Sequence, residues 1–275
     1  FDDLFVAYPL WPGEESLRRL RALAGRARVQ VGIDSPDAAR GWSGVGVRAL
    51  VEVDSGHHRS GVLPDRAGAL AQGAAASGLD VVGVFTFPGH SYSPTGRAEA
   101  ARDEADALAA AAASLMSVGI GPAVISGGST PSLDATGAGL SEVRPGVYVF
   151  NDAQQWELGA CGPEQIALTC HSTVVSHAGG RLVLDAGTKV VGADRPAWAS
   201  GFGRLLDFPE ARIVLASEHH LVADLAGTPL PPLGSVVRVV PNHACNAVNL
   251  VDTLEVFESG RRVASWAVAA RGRNG

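Results

Sequence analysis

Short aliphatic and β-branched runs alternate with helical patterns along the first part of the chain. Residues 4–8, 28–33, 48–53, 80–85, 123–126 and 147–150 read as strands. Between them, residues 14–24 place Leu17, Leu20 and Leu23 on one helical face. Ser35-Pro36-Asp37 is the start signal of a short helix, and Pro64 opens another over 64–77. A long Ala-rich helix falls within 94–119, and 153–158 begins a further one. Strands alternating with helices imply parallel β-α units. Six are present, whereas a closed (β/α)8 barrel needs eight. Two units ahead of Phe1 would complete the count, which predicts a TIM-like α/β barrel that is N-terminally incomplete in this chain. An open doubly wound sheet of six strands is the other reading of the same pattern.

From about Cys161 the texture changes. Residues 166–177, 181–184, 213–217, 236–240, 249–258 and 262–269 read as strands split by Gly, Pro and Asn, with little helical periodicity. The expected division is therefore 1–160, a partial barrel, and 161–275, a mostly antiparallel β domain. The 275 residues can bury a sizeable core, and 46% hydrophobic with 18% charged residues argues against disorder. A net charge of -6 without a basic run argues against a nucleic-acid partner. No apolar run is long enough for a membrane span, and no secretory signal opens the chain. Three cysteines fit a reducing, cytoplasmic compartment better than a disulfide framework.

Four clusters carry candidate chemistry. In Ser126-Gly127-Gly128-Ser129-Thr130, a strand ends in two glycines and two hydroxyls. That suits close approach to a phosphate, or a simple β-α turn. In Pro241-Asn242-His243-Ala244-Cys245, a His and a Cys two apart on an extended segment would point the same way. Imidazole with thiolate suits an open divalent metal site, zinc first, with manganese or magnesium as alternatives. A turn His beside a buried Cys is the bland alternative, and His219 or His220 could add a ligand or lie in solvent. After the strand ending at Glu52, Arg59 could hold an anionic oxygen or pair with Asp54, and one of His57 and His58 should face solvent. In Phe87-Pro88-Gly89-His90, the ring could face a cofactor and His90 could handle a proton.

Taken in this order, these stretches resemble the D-threonine aldolase and D-serine dehydratase family, the alanine-racemase-like class of pyridoxal-phosphate enzymes. Also matching are Arg144-Pro145-Gly146-Val147-Tyr148, Leu184-Asp185-Ala186-Gly187-Thr188-Lys189 and Ser217-Glu218-His219. The resemblance implies a homodimeric lyase for β-hydroxy D-amino acids that uses pyridoxal 5'-phosphate and a divalent metal. By the family's pattern, Gly127, Gly128, Ser129 and Thr130 lie at the cofactor phosphate, with Tyr148 near it. Arg59 approaches the ring oxygen, Arg59 and His90 are the catalytic candidates, and His243 and Cys245 hold the metal. Dehydration of D-serine to pyruvate and ammonia is the first expectation, because His-x-Cys resembles the dehydratase side. Retro-aldol cleavage of D-threonine to glycine and acetaldehyde is the second, and a non-catalytic cofactor binder the third. Two departures stand out. Phe87 replaces the Tyr that relatives tend to carry. The only lysine, Lys189, matches a β-domain stretch rather than the family's cofactor lysine, which belongs on the first barrel strand. The fragment alone is therefore expected to be inactive.

Overall fold

The computed structural model describes residues 1–137 and 139–273, and their contacts divide the chain after Gly146. The first unit is built on a six-stranded parallel sheet: β1 (Asp3–Pro9), β2 (Arg28–Ile33), β3 (Arg48–Glu52), β4 (Asp80–Phe85), β5 (Val124–Gly127) and β6 (Glu142–Val143). Spatial order follows chain order without reversal. A doubly wound sheet reverses its order part-way and carries helices on both faces. Here α1 (Glu14–Ala24), α2 (Pro36–Trp42), α3 (Ala67–Ala76) and α4 (Arg97–Ser117) share one core with Val29, Val31, Ile33, Ala49 and Val51 of the strands. The alternate residues, Leu50, Val82 and Phe85, pack with Phe5 and Val124 on the other face. Side chains alternate across a strand, so one face meets helices and the other lines an interior. This is the parallel half-barrel expected from the pattern.

The sixth strand differs from expectation. Residues 147–150 are not a strand: Val147–Val149 form a 3-10 turn, with Tyr148 and Val149 more than half exposed. The pairing is made earlier, by the two-residue β6, where Ser126 faces Glu142 and Gly127 faces Val143. Pro145 lacks an N–H and stops the ladder from continuing.

Local chemistry explains the helices. Ser35 caps α2, its Oγ accepting from Ala38 N at 3.3 Å with Pro36 at the first helical position. α3 has no side-chain cap of its own. Instead Ser114 of α4 accepts from Gly68 N at 2.9 Å. The two helices run so close that a Cβ on Gly68 would lie 2.2 Å from the Ser114 carbonyl oxygen.

The second unit holds an antiparallel sheet in the order β10-β11-β8-β7-β12-β9. Its strands are β7 (Cys170–Ser176), β8 (Leu182–Leu184), β9 (Arg204–Leu205), β10 (Arg212–Ala216), β11 (Leu221–Asp224) and β12 (Val236–Val240). A hydrogen bond from Phe202 N to Ile213 O draws the two sheet edges towards closure, giving a nearly closed barrel filled by Leu182, Leu184, Leu205, Ile213 and Leu221. A separate hairpin pairs β13 (Thr253–Glu258) with β14 (Arg261–Ala267). Three short helices complete it: α5 (Ala153–Glu157), α6 (Thr188–Val191) and α7 (Ala244–Asn249). α7 overturns one expectation, because Cys245 and Asn249 are helical rather than extended. Among the described residues no helix is long and apolar enough to cross a membrane. All three cysteines are free thiols.

Candidate active site

In the first unit, three loops gather at the C-terminal ends of the strands, where barrel enzymes place their chemistry. The loop after β3 is folded back by Asp54 N to Val62 O and Val62 N to Glu52 O, both 2.9 Å. Gly61 is required there, since φ is +100° and a Cβ would sit 2.7 Å from the Asp54 nitrogen. Asp54 accepts from Gly56 N and His58 N and pairs with His58 Nδ1 at 2.6 Å. Burial pushes the Asp54 carboxyl up, but these donors outweigh it and hold it below its ordinary range. With Asp54 bonded to His58, the Arg59 guanidinium lies over the Phe87 ring, 5.1 Å from its centroid.

The structure brings His57, not His90, to this pair. His57 packs edge-on to Phe87 at 5.8 Å and lines a small pocket with Glu52, Asp54, Arg59 and Thr86. Burial, then the nearby Arg59 and His90, pull the His57 imidazole below its usual range, which favours the neutral base. His58 is the solvent-facing histidine, 81% exposed. His90 leans on Asp103 of α4, with Nε2 3.2 Å from Oδ2. The sequence offered no means of choosing between His57 and His90, because both follow a strand.

Arg144 was missed as a site residue. Its Nε donates to Ser126 Oγ at 2.8 Å and its other arm to the Thr86 carbonyl. Burial pulls the guanidinium down, opposed by the carboxyls of Glu142, Glu104 and Glu52. Glu52 and Glu104 are themselves buried, and burial pushes both carboxyls up.

The glycine turn runs on directly from β5, which ends at Gly127. Gly128 has φ of +80°. Ser129 is buried, its hydroxyl 2.9 Å from Ser91 Oγ and 2.8 Å from Ser132 Oγ. Thr130 follows, half-buried. The Gly128 N–H already donates to Glu104 Oε1 at 2.6 Å. The turn and its clustered hydroxyls fit a phosphate in kind, with anchoring falling to the groups after Gly128.

In the second unit, His243 caps α7 in an extended conformation and Cys245 lies in the first turn of that helix. The two side chains nevertheless lie close enough for each to shift the other's protonation. Asp152, fully buried, accepts from His243 Nδ1 at 3.3 Å and from Ala244 N at 3.1 Å. Its other oxygen caps α5 through Gln155 N at 2.9 Å. Asp152 and then Cys245 raise the His243 imidazole to about 10, and His243 lowers the Cys245 thiol. Imidazole and thiol at one helix start supply the nitrogen and sulfur donors that a divalent cation takes in place of protons. The pair fits a metal by donor type, although among the described residues no group of three or more His, Cys, Asp and Glu side chains is arranged to hold one. Asp152 went unnoticed in the sequence because it is 91 residues from His243. His219 and His220 are exposed, and His219 lies 3.5 Å from Lys189 Nζ. Lys189 pairs with Glu218 at 2.8 Å. Tyr148 lies on the exposed 3-10 turn of this unit.

The alanine racemase N-terminal domain family matches residues 9–154, more than half of the chain, and the putative serine dehydratase domain matches 167–257. The D-threonine aldolase of Arthrobacter sp. is 31% identical over 280 residues, covering 94% of this chain and 72% of that one. This chain belongs to the alanine-racemase-like family of D-threonine aldolases and D-serine dehydratases. Within the family, the D-threo-3-hydroxyaspartate dehydratase of Delftia sp. is 30% identical over 243 residues, and the match spans 64% of that protein. Its crystal structure superposes with a TM-score of 0.85, covering 96% of this chain and 78% of that one. A metal-free form of the same dehydratase carries a cysteine-to-alanine substitution. The D-serine dehydratase of Dictyostelium discoideum is 26% identical over 308 residues, covering 96% of this chain and 76% of that one.

Proposed function

We propose that this protein is a pyridoxal-phosphate- and divalent-metal-dependent lyase that dehydrates β-hydroxy D-amino acids, with D-serine as the first substrate to try. The observation that carries the reading is the His243–Cys245 pair braced by Asp152, in a family whose named relatives include two dehydratases. A thiolate-imidazole donor set favours zinc among divalent ions. When bound, the cofactor supplies an electron sink at the substrate α-carbon and the metal a Lewis acid for the departing β-hydroxyl.

The chain's own residues would share the remaining tasks. Ser129 and Thr130 bind the cofactor phosphate, and Arg59, steadied on Phe87, orients its ring oxygen. His57 and His90 are the imidazoles able to accept or return a proton in the first unit, His57 being the one beside Arg59. We do not assign the cofactor's amine to Lys189, which lies on α6 of the second unit in an exposed ion pair with Glu218. A two-subunit assembly is part of the same reading, and light scattering tests it.

The test is product analysis with the full-length protein, D-serine, D-threonine and D-threo-3-hydroxyaspartate. Keto acid plus ammonia, abolished by a chelator and restored by zinc, supports the dehydratase. Glycine plus aldehyde from D-threonine, with no keto acid, replaces it with the aldolase reading. That alternative draws on the Arthrobacter aldolase, whose match covers 94% of this chain. No turnover of any of the three, with pyridoxal phosphate still bound, leaves a non-catalytic cofactor binder.

A further inference from the structure

We infer that Glu104 of α4 is a positioning residue for the cofactor's phosphate, its buried carboxyl setting the glycine turn that presents Ser129 and Thr130. The inference rests on the pyridoxal-phosphate reading and names a residue that touches the turn rather than the cofactor.

The geometry is specific. Glu104 is 1% exposed, on the face of α4 that packs inward. Its Oε1 accepts the Gly128 N–H at 2.6 Å. The carboxyl presses so closely on the turn that a Cβ on Gly127 would lie 2.5 Å from Oε1. On the other side, a Cβ on Gly128 would meet Val143 at 3.2 Å, and the Gly127 carbonyl accepts from Arg144 N at 2.9 Å. The turn is thus clamped between a helix and the edge strand, in a left-handed conformation that glycine adopts without strain. This explains both glycines: one admits the carboxyl, the other takes the left-handed turn beside the Val143 side chain.

A carboxyl beneath a phosphate would repel it if charged. The second oxygen, Oε2, is buried without a hydrogen-bond partner among the described residues. An ionised carboxylate with an unsolvated oxygen is costly, so burial favours the neutral acid here, with Arg144 and the Gly128 N–H pulling the other way. A neutral acid can accept the Gly128 N–H and hold the turn without opposing an anion above it. The Gly128 N–H is then a structural donor, not a phosphate ligand.

The test compares pyridoxal 5'-phosphate with pyridoxal, which lacks the phosphate, by equilibrium dialysis against the full-length protein. The ratio of the two affinities isolates the phosphate's contribution. Glu104→Gln keeps length and acceptor and should keep the wild-type ratio. Glu104→Met keeps bulk but removes the acceptor, and the ratio should fall about 10-fold while pyridoxal itself binds as before. A Met variant with an unchanged ratio overturns the inference, as does one that weakens both ligands equally. If the Met variant does not fold, the Gln variant decides alone, and a fallen ratio there overturns it. A wild type that binds both ligands alike removes the phosphate reading itself, and this inference with it.

Discussion

Each unit of the chain carries a histidine that leans on an aspartate, and the two pairs have nearly the same length. His90 Nε2 lies 3.2 Å from Asp103 in the first unit, and His243 Nδ1 lies 3.3 Å from Asp152 in the second. Their surroundings differ. Asp103 is about half exposed on α4, so water competes for its charge. Asp152 is fully buried and shares its two oxygens among His243, Ala244 N and Gln155 N. The first pair resembles surface ion pairs, which contribute little. The second ties an imidazole, a helix start and a second helix cap to one carboxylate, the arrangement that orients metal-binding histidines. Distance alone would rank the two pairs equal; what else each carboxylate holds separates them.

The comparison is most exposed to failure at Asp152. Asp152→Ala should cost about 3 kcal/mol in urea unfolding, since it removes a helix cap and a buried charge partner together. A loss below about 1 kcal/mol would mean the buried pair is as incidental as the exposed one. Next in size is metal binding. Cys245→Ala should weaken zinc at least about 100-fold in competition with a chromophoric chelator, because one of two donors is gone. Pyridoxal phosphate affinity should be unchanged, and a parallel loss of cofactor would contradict the separation of roles. Asp152→Asn, which keeps the α5 cap but not the charge, should weaken zinc by roughly 10-fold to 100-fold. The smallest effect belongs to the first unit. Asp103→Ala should shift stability by no more than about 1 kcal/mol, and a larger shift in a thermal melt would place His90 under firmer control than the exposure of Asp103 implies.

Much of the first unit was legible from periodicity, because its strands are buried on both sides and its helices carry one apolar face. The helix at Glu14–Ala24 and the strands at Arg28–Ile33 and Asp80–Phe85 have the limits their patterns suggest. The edge was misread. Val147-Tyr148-Val149-Phe150 has a strand's composition, but the proline at 145 and a tight turn decide otherwise. In the second unit, β9 is two residues long and carries no periodicity to detect. The helix at Ala244–Asn249 was hidden for another reason. Its start is organised by Asp152, far away in sequence, so the local residues Asn-His-Ala-Cys look equally suited to a strand. The same non-local cause hid Asp152 and Arg144 as site residues. The types His and Cys could be read from the chain, whereas the carboxylates and guanidinium that orient the site are identified by whom they meet.

The near-contact of α3 and α4 at Gly68 constrains how this chain can change by descent. A side chain at 68 would have to push α4 away from the Ser114 carbonyl. The same helix carries Glu104 under Gly127, where a side chain would meet the carboxyl. Positions 68 and 127, on different elements, thus bear on one shared rod from two places. Substitutions at the two should be nearly additive, because Ser114 and Glu104 lie ten residues, about 15 Å, apart along α4. A lineage could therefore widen the helix crossing at 68 and still keep the turn at 127, so the two glycines are inherited as separate decisions.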